Sequence, residues 1–455
     1  MDHETTIRET TVIEPTITYS KVNEAVIRML DKPTIKWLAL FIFDLAILAF
    51  GIFCWIYQIY TGLGVAGYRH PVFWAVYITN FVFWVGIAHS GTLISAILFL
   101  FRARFRMSIY RISEAMTVFA VLTAGLFPLI HLGRVWNFYW LIPYPNQRGL
   151  WINFRSPLIW DVFAVSTYLT VSSVFFFVGM IPDIAAIRDR VKEVPRKIIY
   201  TILSLGWKGS SWEWSHYTRA YFYLAAFATP LVLSVHSVVS WDFAMADVPG
   251  WHTTIFAPYF VAGAIFSGLA LVITLAVPIR KIFHLEEYIT VANFEGMAKL
   301  IILTGLIVTY AYIVEAFMAW YSGSPAEWGQ FVYRAKGPYA TFYWIMIFCN
   351  SVVPILLWFK RIRTNIKALF IISLFINIGM WFERFNIIVI SLSHEFEPGA
   401  WGIYRVSWVE LGITAGSFAW FFMFFLLFIK TLPALSIAEI KEILPAPNNK
   451  EAKVR

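Results

Sequence analysis

Apolar residues run along this chain in blocks of roughly 20 or more, parted by short polar segments. At 1.5 Å of rise per helical residue, such blocks match the hydrocarbon thickness of a bilayer. Ten are read as spans: 37–60, 71–101, 110–136, 157–182, 218–241, 254–278, 298–321, 338–359, 366–393 and 408–431. In lipid every backbone amide must be satisfied inside its own segment, so these blocks form helices. The pattern predicts an all-α integral membrane protein with about ten transmembrane helices. An even number puts both chain ends on one side.

Small residues mark a weak internal repeat. HSGTLISAILFL (89–100) in the second span is echoed by VAGAIFSGLALVITL (261–275) in the sixth. LTAGL (122–126) in the third is echoed by LTGLI (303–307) in the seventh. Both pairs are offset by four spans, and small residues let helices approach closely. The expected architecture is two four-helix bundles, spans 2–5 (71–241) and 6–9 (254–393), flanked by helices 37–60 and 408–431. An N-terminal arm (1–36) and a tail (432–455) complete the chain. IRDRVKEVPRKIIYTILSL, in the 183–217 loop, predicts an amphipathic surface helix. The tail after Pro433 predicts a short helix followed by disorder.

Composition agrees: 59% hydrophobic and 14% charged, against about 25% charged in a soluble domain. The net charge of +9 does not point to nucleic acid, because the basic residues sit in loops between spans. Of 36 Lys and Arg, eight fall on one side: Arg69, Arg134, Arg148, Arg155, Arg334, Lys336, Arg384 and Arg405. The other side carries the rest and both termini, and is therefore read as cytoplasmic. Loops 61–70, 137–156, 242–253, 322–337 and 394–407 then face outward. The start, MDHETTIRETTVIEPTITYS, has no apolar core of a signal peptide. Cys54 and Cys349 lie in apolar blocks and are too few for an iron–sulfur cluster. No metal-ligand spacing appears.

An ionisable residue at the bilayer centre costs at least about 2.5–3.5 kcal/mol, so each needs a reason. The third span reads EAMTVFAVLTAGLFPLIHLGR, with Glu114 near one end and His131 near the other, roughly 25 Å apart along a helix. Arg134 follows three residues later, on the same helical face. The next span opens SPLIWDVFAVSTYLT and carries Asp161 near the same outer surface. A His beside a carboxylate can take a proton from a hydroxyl. A quinol, an apolar ring with two hydroxyls, suits such a pair; a plain structural His–Asp tie is the other reading. Asp44, His89, His236, Asp242, Glu315 and Glu383 are further buried candidates, with Thr123, Tyr168 and Ser237, for proton movement. Haem needs two His at matching depth on facing helices, and His89 (mid-span) and His131 (near the surface) do not match.

These features together resemble the polysulfide reductase/NrfD family of membrane subunits, nearest the ActC subunit of bacterial alternative complex III. HSGTLISAILFLFR, the EAMT…FPLIHLGR helix and the PLIWD helix start carry the likeness, which covers the chain beyond its N-terminal arm. The resemblance implies a cofactor-free subunit of a multi-subunit quinol oxidoreductase, inactive alone, in the bacterial inner membrane. It would oxidise quinol or menaquinol near the periplasmic face, with His131 and Asp161 at the quinol site. Electrons would pass to a docked periplasmic iron–sulfur subunit, then to multihaem and monohaem cytochrome c subunits and a terminal oxidase. A homologous second membrane subunit, ActF-like, would complete the complex. Two other classes stay open: a secondary transporter and a structural anchor. Against the transporter, Pro128, Pro230 and Pro354 do not fall at corresponding repeat positions.

Overall fold

The computed structural model describes residue 13 and residues 17–142 and 154–444. Ten of its helices are long and apolar enough to cross a membrane: Ile35–Thr61, Val76–Leu100, Tyr110–His131, Pro157–Arg188, Ser211–Ala244, Phe256–Ile282, Val291–Tyr321, Ala340–Trp358, Ile366–Ser393 and Trp408–Thr431. No β-strand occurs among the described residues. Local chemistry sets several ends. The Thr34 hydroxyl accepts from Trp37 N at the start of the first span. Ser210 with Glu213, and Ser407 with Glu410, form capping boxes on the fifth and tenth. The third span stops at His131, short of the expected 136, because Gly133 (φ +69°) turns left-handed.

Spans 2–5 pack as neighbours, as do spans 6–9, and the second and sixth join the two bundles along their faces. The first and tenth spans pair with each other and lean on the third. The second span is 89% buried and the first only 22%, so the former is the molecule's axis and the latter its lipid-facing edge. The repeat's small residues sit where backbones meet. A Cβ at Gly268 would lie 1.9 Å from Ser90 Oγ. Outside the repeat, the first and tenth spans meet as closely: a Cβ at Gly51 would lie 2.5 Å from Gly416 Cα. Asn80, on the second span, donates to Thr414 Oγ1 (2.8 Å) and accepts from Trp381 Nε1 (2.8 Å). Trp84 Nε1 donates to Ser417 Oγ (3.2 Å). One-turn π segments interrupt the second, eighth and ninth spans at Leu93–Ile97, Phe348–Val352 and Asn386–Ile390.

Both described ends meet on one side. Helices Tyr19–Met29 and Ile437–Ile443 are tied by Lys441 Nζ to Asn23 Oδ1 (2.7 Å) and by Tyr19 OH to Lys441 O (3.0 Å). The amphipathic loop helix is present as Val194–Leu203, and the tail helix as Ile437–Ile443. The disorder expected further along the tail falls outside the described residues, as does most of the 137–156 loop. We call this side the termini end and the opposite side the far end.

Candidate functional site

The far end of the third span presents His131, half-buried. Its Nδ1 lies 2.9 Å from the hydroxyl of Tyr68, and the two rings meet edge-on at 5.7 Å. Tyr68 comes from the short loop after the first span. That loop is held down by Glu410 Oε2, which accepts from Gly67 N (2.9 Å) and Ser407 N (2.8 Å). Tyr68 also stands edge-on to Tyr77 at 5.8 Å. The Tyr77 hydroxyl donates to Gln58 Oε1, and Gln58 Nε2 donates to Ile130 O (3.0 Å). Three spans and a loop thus fix one imidazole by one nitrogen. No hydrogen bond to its Nε2 occurs among the described residues.

Asp161 does not touch His131. Third and fourth spans are neighbours, as their short connection implies, but Asp161 is 6% exposed and lies beside Asp242 of the fifth span, and the Oδ1 of each has no hydrogen-bond partner among the described residues. Two neighbouring carboxyls can share a proton, since a protonated one donates and an ionised one only accepts. The expected His–Asp contact is therefore replaced by two pairs, Tyr68–His131 and Asp161–Asp242. Arg134 departs from expectation too. The helix ends before it, so it shares no helical face with His131 and lies exposed at the rim.

Deeper in the first bundle, the His89 and His236 rings meet at a tilt of 51°, with 4.6 Å between centroids. They stand on facing spans, a pairing that the sequence reading missed by comparing His89 with His131. Rings so close leave no slot for a macrocycle between them. His89 Nδ1 donates to Val85 O (2.5 Å), which leaves its Nε2 an acceptor without a partner; both nitrogens of His236 are also unpartnered. His89 stacks on Tyr168 (5.0 Å), whose hydroxyl donates to Ala88 O (2.9 Å) and meets Thr92 Oγ1 (2.7 Å). Thr123 and Ser237 bond only to carbonyls of their own helices.

Toward the termini end, Glu114 is buried in an ion-pair cluster. Arg111 reaches Glu114 (3.0 Å), Asp183 (2.9 Å) and Gly179 O (2.7 Å), and Tyr221 OH donates to Glu114 Oε1 (3.0 Å). Asp183 also accepts from Ala438 N at the head of the tail helix (2.9 Å), and Glu439 forks onto Arg106 (2.9 and 2.8 Å). Burial pushes the Glu439 carboxyl up, against the pull of Arg106. These groups occupy successive depths of one bundle, but no hydrogen bond links the histidine layer to Asp161 or to Glu114 among the described residues.

The second bundle has its own cluster. Glu383 is paired with Arg384 (2.6 Å) and accepts from Tyr312 OH, which Asn350 Nδ2 approaches at 2.9 Å. Glu315 lies nearby, its Oε1 without a partner. Asp44, in the first span, stands apart from every cluster, its Oδ2 unpartnered. No group of three or more His, Cys, Asp or Glu placed to hold a metal occurs among the described residues.

Ten spans around buried proton-bearing clusters define an integral membrane protein built for polar chemistry inside lipid. Residues 64–394 match the family model described as Polysulphide reductase, NrfD, and the chain belongs to that family. It is also 28% identical, over 232 residues, to a putative membrane subunit of a dimethyl sulfoxide reductase from Halobacterium salinarum. That match covers 51% of this chain and 49% of the relative, so the chain spans about half the length of the curated relative it matches.

Proposed function

We propose that this chain is the quinol-binding membrane subunit of a respiratory quinol oxidoreductase, of the kind exemplified by ActC in alternative complex III. Family membership supports a membrane subunit that works with redox partners. The observation that carries the reading is the Tyr68–His131 pair: a half-exposed imidazole at the membrane rim, held by one nitrogen, with the other open to a ligand.

That geometry suits both forms of the substrate. When Nδ1 carries the proton and donates to Tyr68, Nε2 accepts from a quinol hydroxyl. When Tyr68 donates to Nδ1, Nε2–H donates to a quinone carbonyl. Oxidation of one quinol releases two protons and two electrons. His131 receives the first proton, and a carboxylate of the Asp161–Asp242 pair takes the second. Arg134 at the rim offsets negative charge on the deprotonating ring. The electrons leave to a docked iron–sulfur subunit, whose cluster passes them to multihaem and monohaem cytochrome c subunits and a terminal oxidase. An ActF-like second membrane subunit sits alongside. Exposed Trp136, Phe138, Tyr139 and Trp140 at the far end support a docking face there. The distribution of Lys and Arg supports a periplasmic far end in a bacterial inner membrane.

Proton translocation would use the groups at successive depths: Asp242, His236, His89 and Glu114 in the first bundle, Glu315 and Glu383 in the second, with Asp44 on the first span. The transporter reading is weakened by the π segments, which lie in the second, eighth and ninth spans and have no counterparts in the sixth, fourth and fifth. The deciding experiment is gentle purification of the native chain with everything bound to it. Co-purifying haem c and iron–sulfur proteins, with quinol oxidation blocked by Asp161→Asn, is the expected result. A chain that purifies alone and carries a solute flux in liposomes would overturn it.

A further inference from the structure

The far half of the second bundle holds a small cavity of about 10 Å³, between the sixth to ninth spans and the short helix Pro325–Lys336. That is room for one water molecule and nothing larger. Its walls hold three buried polar atoms with no hydrogen-bond partner in the protein: Glu315 Oε1, Asn386 Oδ1 and Arg334 Nε. Such orphans are rare in folded proteins, and several around one small cavity call for a common partner. Two of the atoms accept and one donates. A water molecule offers two O–H donors and a lone pair, and buried waters typically make about three hydrogen bonds.

We propose that this cavity binds a single ordered water that donates to Glu315 and Asn386 and accepts from Arg334. Two neighbouring groups on these side chains have partners of their own. Arg334 Nη2 donates to Ser391 Oγ (2.8 Å), and Asn386 Nδ2 approaches Met346 Sδ (3.3 Å). Tyr312 also lines the cavity, and its hydroxyl donates to Glu383. The water therefore joins Glu315 to Asn386 and Arg334, side chains that no hydrogen bond joins among the described residues. Neither Arg334 nor Asn386 stands out in the sequence; both are brought to Glu315 by the fold. The inference is independent of the quinol reading.

X-ray radiolytic labelling of the purified, native assembly in H₂¹⁸O tests it. Radiolysis of a bound water oxidises the side chains beside it, and methionine is among the most readily oxidised. Met346 lines the cavity and is 4% exposed, whereas Met116 and Met297 are fully buried and line no part of it. Met346 is expected to take up ¹⁸O severalfold faster than Met116 and Met297. Asn386→Leu, which removes one acceptor and fills the space, is expected to bring Met346 down to their level. If that variant fails to assemble, Glu315→Leu carries the same test. Labelling of Met346 no faster than of the two controls, or labelling unchanged in the leucine variant, overturns the proposal.

Discussion

At the scale of single residues, His131 and Arg111 show how differently two ionisable groups within the membrane can be used. His131 is held on one side and open on the other. Replacing it by Ala is expected to lower quinol oxidation by at least about 100-fold, the usual span for a general base, while the complex still assembles. Turnover with a quinol analogue, read beside native gel mobility, checks both halves; lost assembly would make His131 a structural tie. Tyr68→Phe removes one hydrogen bond worth about 0.5–1.5 kcal/mol, so a two- to tenfold loss is expected in the same assay, with assembly intact. Arg111 is held through both of its terminal nitrogens by Glu114, Asp183 and Gly179 O. Arg111→Ala strands two buried carboxyls and is expected to cost about 3–5 kcal/mol, read as a lowered melting temperature in detergent. His131 and Asp161 were legible as candidates because charge is rare in apolar blocks. Tyr68 was not: it lies in a loop 63 positions from His131, and no periodicity ties a loop to a distant helix end. Gln58 could have been found, as the single side-chain amide in the first span.

At the scale of elements, hydropathy sufficed for what faces lipid and failed for what lies on its surface. All ten spans were legible, because a bilayer imposes a length and a composition that few other structures need. Helices Tyr19–Met29 and Pro325–Lys336 were not read, since each is short and mixes polar with apolar residues. The repeat was visible only as small residues, and their purpose shows in the contacts. A Cβ on Gly91 would stand 1.9 Å from Thr117 Oγ1 and 2.2 Å from Ser113 O. Backbone cannot retreat as a side-chain tip can. Gly91→Val is therefore expected to destabilise the first bundle by at least about 1–3 kcal/mol, checked by thermal unfolding, whereas Gly125→Ala, with open space around it, should be silent.

At the scale of the whole molecule, sidedness is the property that chemistry tests most directly. The native cysteines are both buried, so single reporter cysteines can be placed against a quiet background. Phe396→Cys at the far end is expected to react with a membrane-impermeant maleimide in intact cells, and Lys32→Cys only after lysis. The reverse pattern would turn the chain over and place quinol chemistry on the cytoplasmic face.

The polar bonds of the second span carry a consequence in time. Asn80 is satisfied by Trp381 and Thr414, and Trp84 by Ser417. Thr414 leaves the ribosome 334 residues after Asn80, which at 5–20 residues per second is about 17–67 s. Throughout that interval the molecule's most buried helix waits with its amide N–H unanswered by Thr414, in lipid or in the care of the insertion machinery. A nascent chain cut short before the tenth span would expose that defect in the middle of the membrane, where a quality-control protease can recognise it.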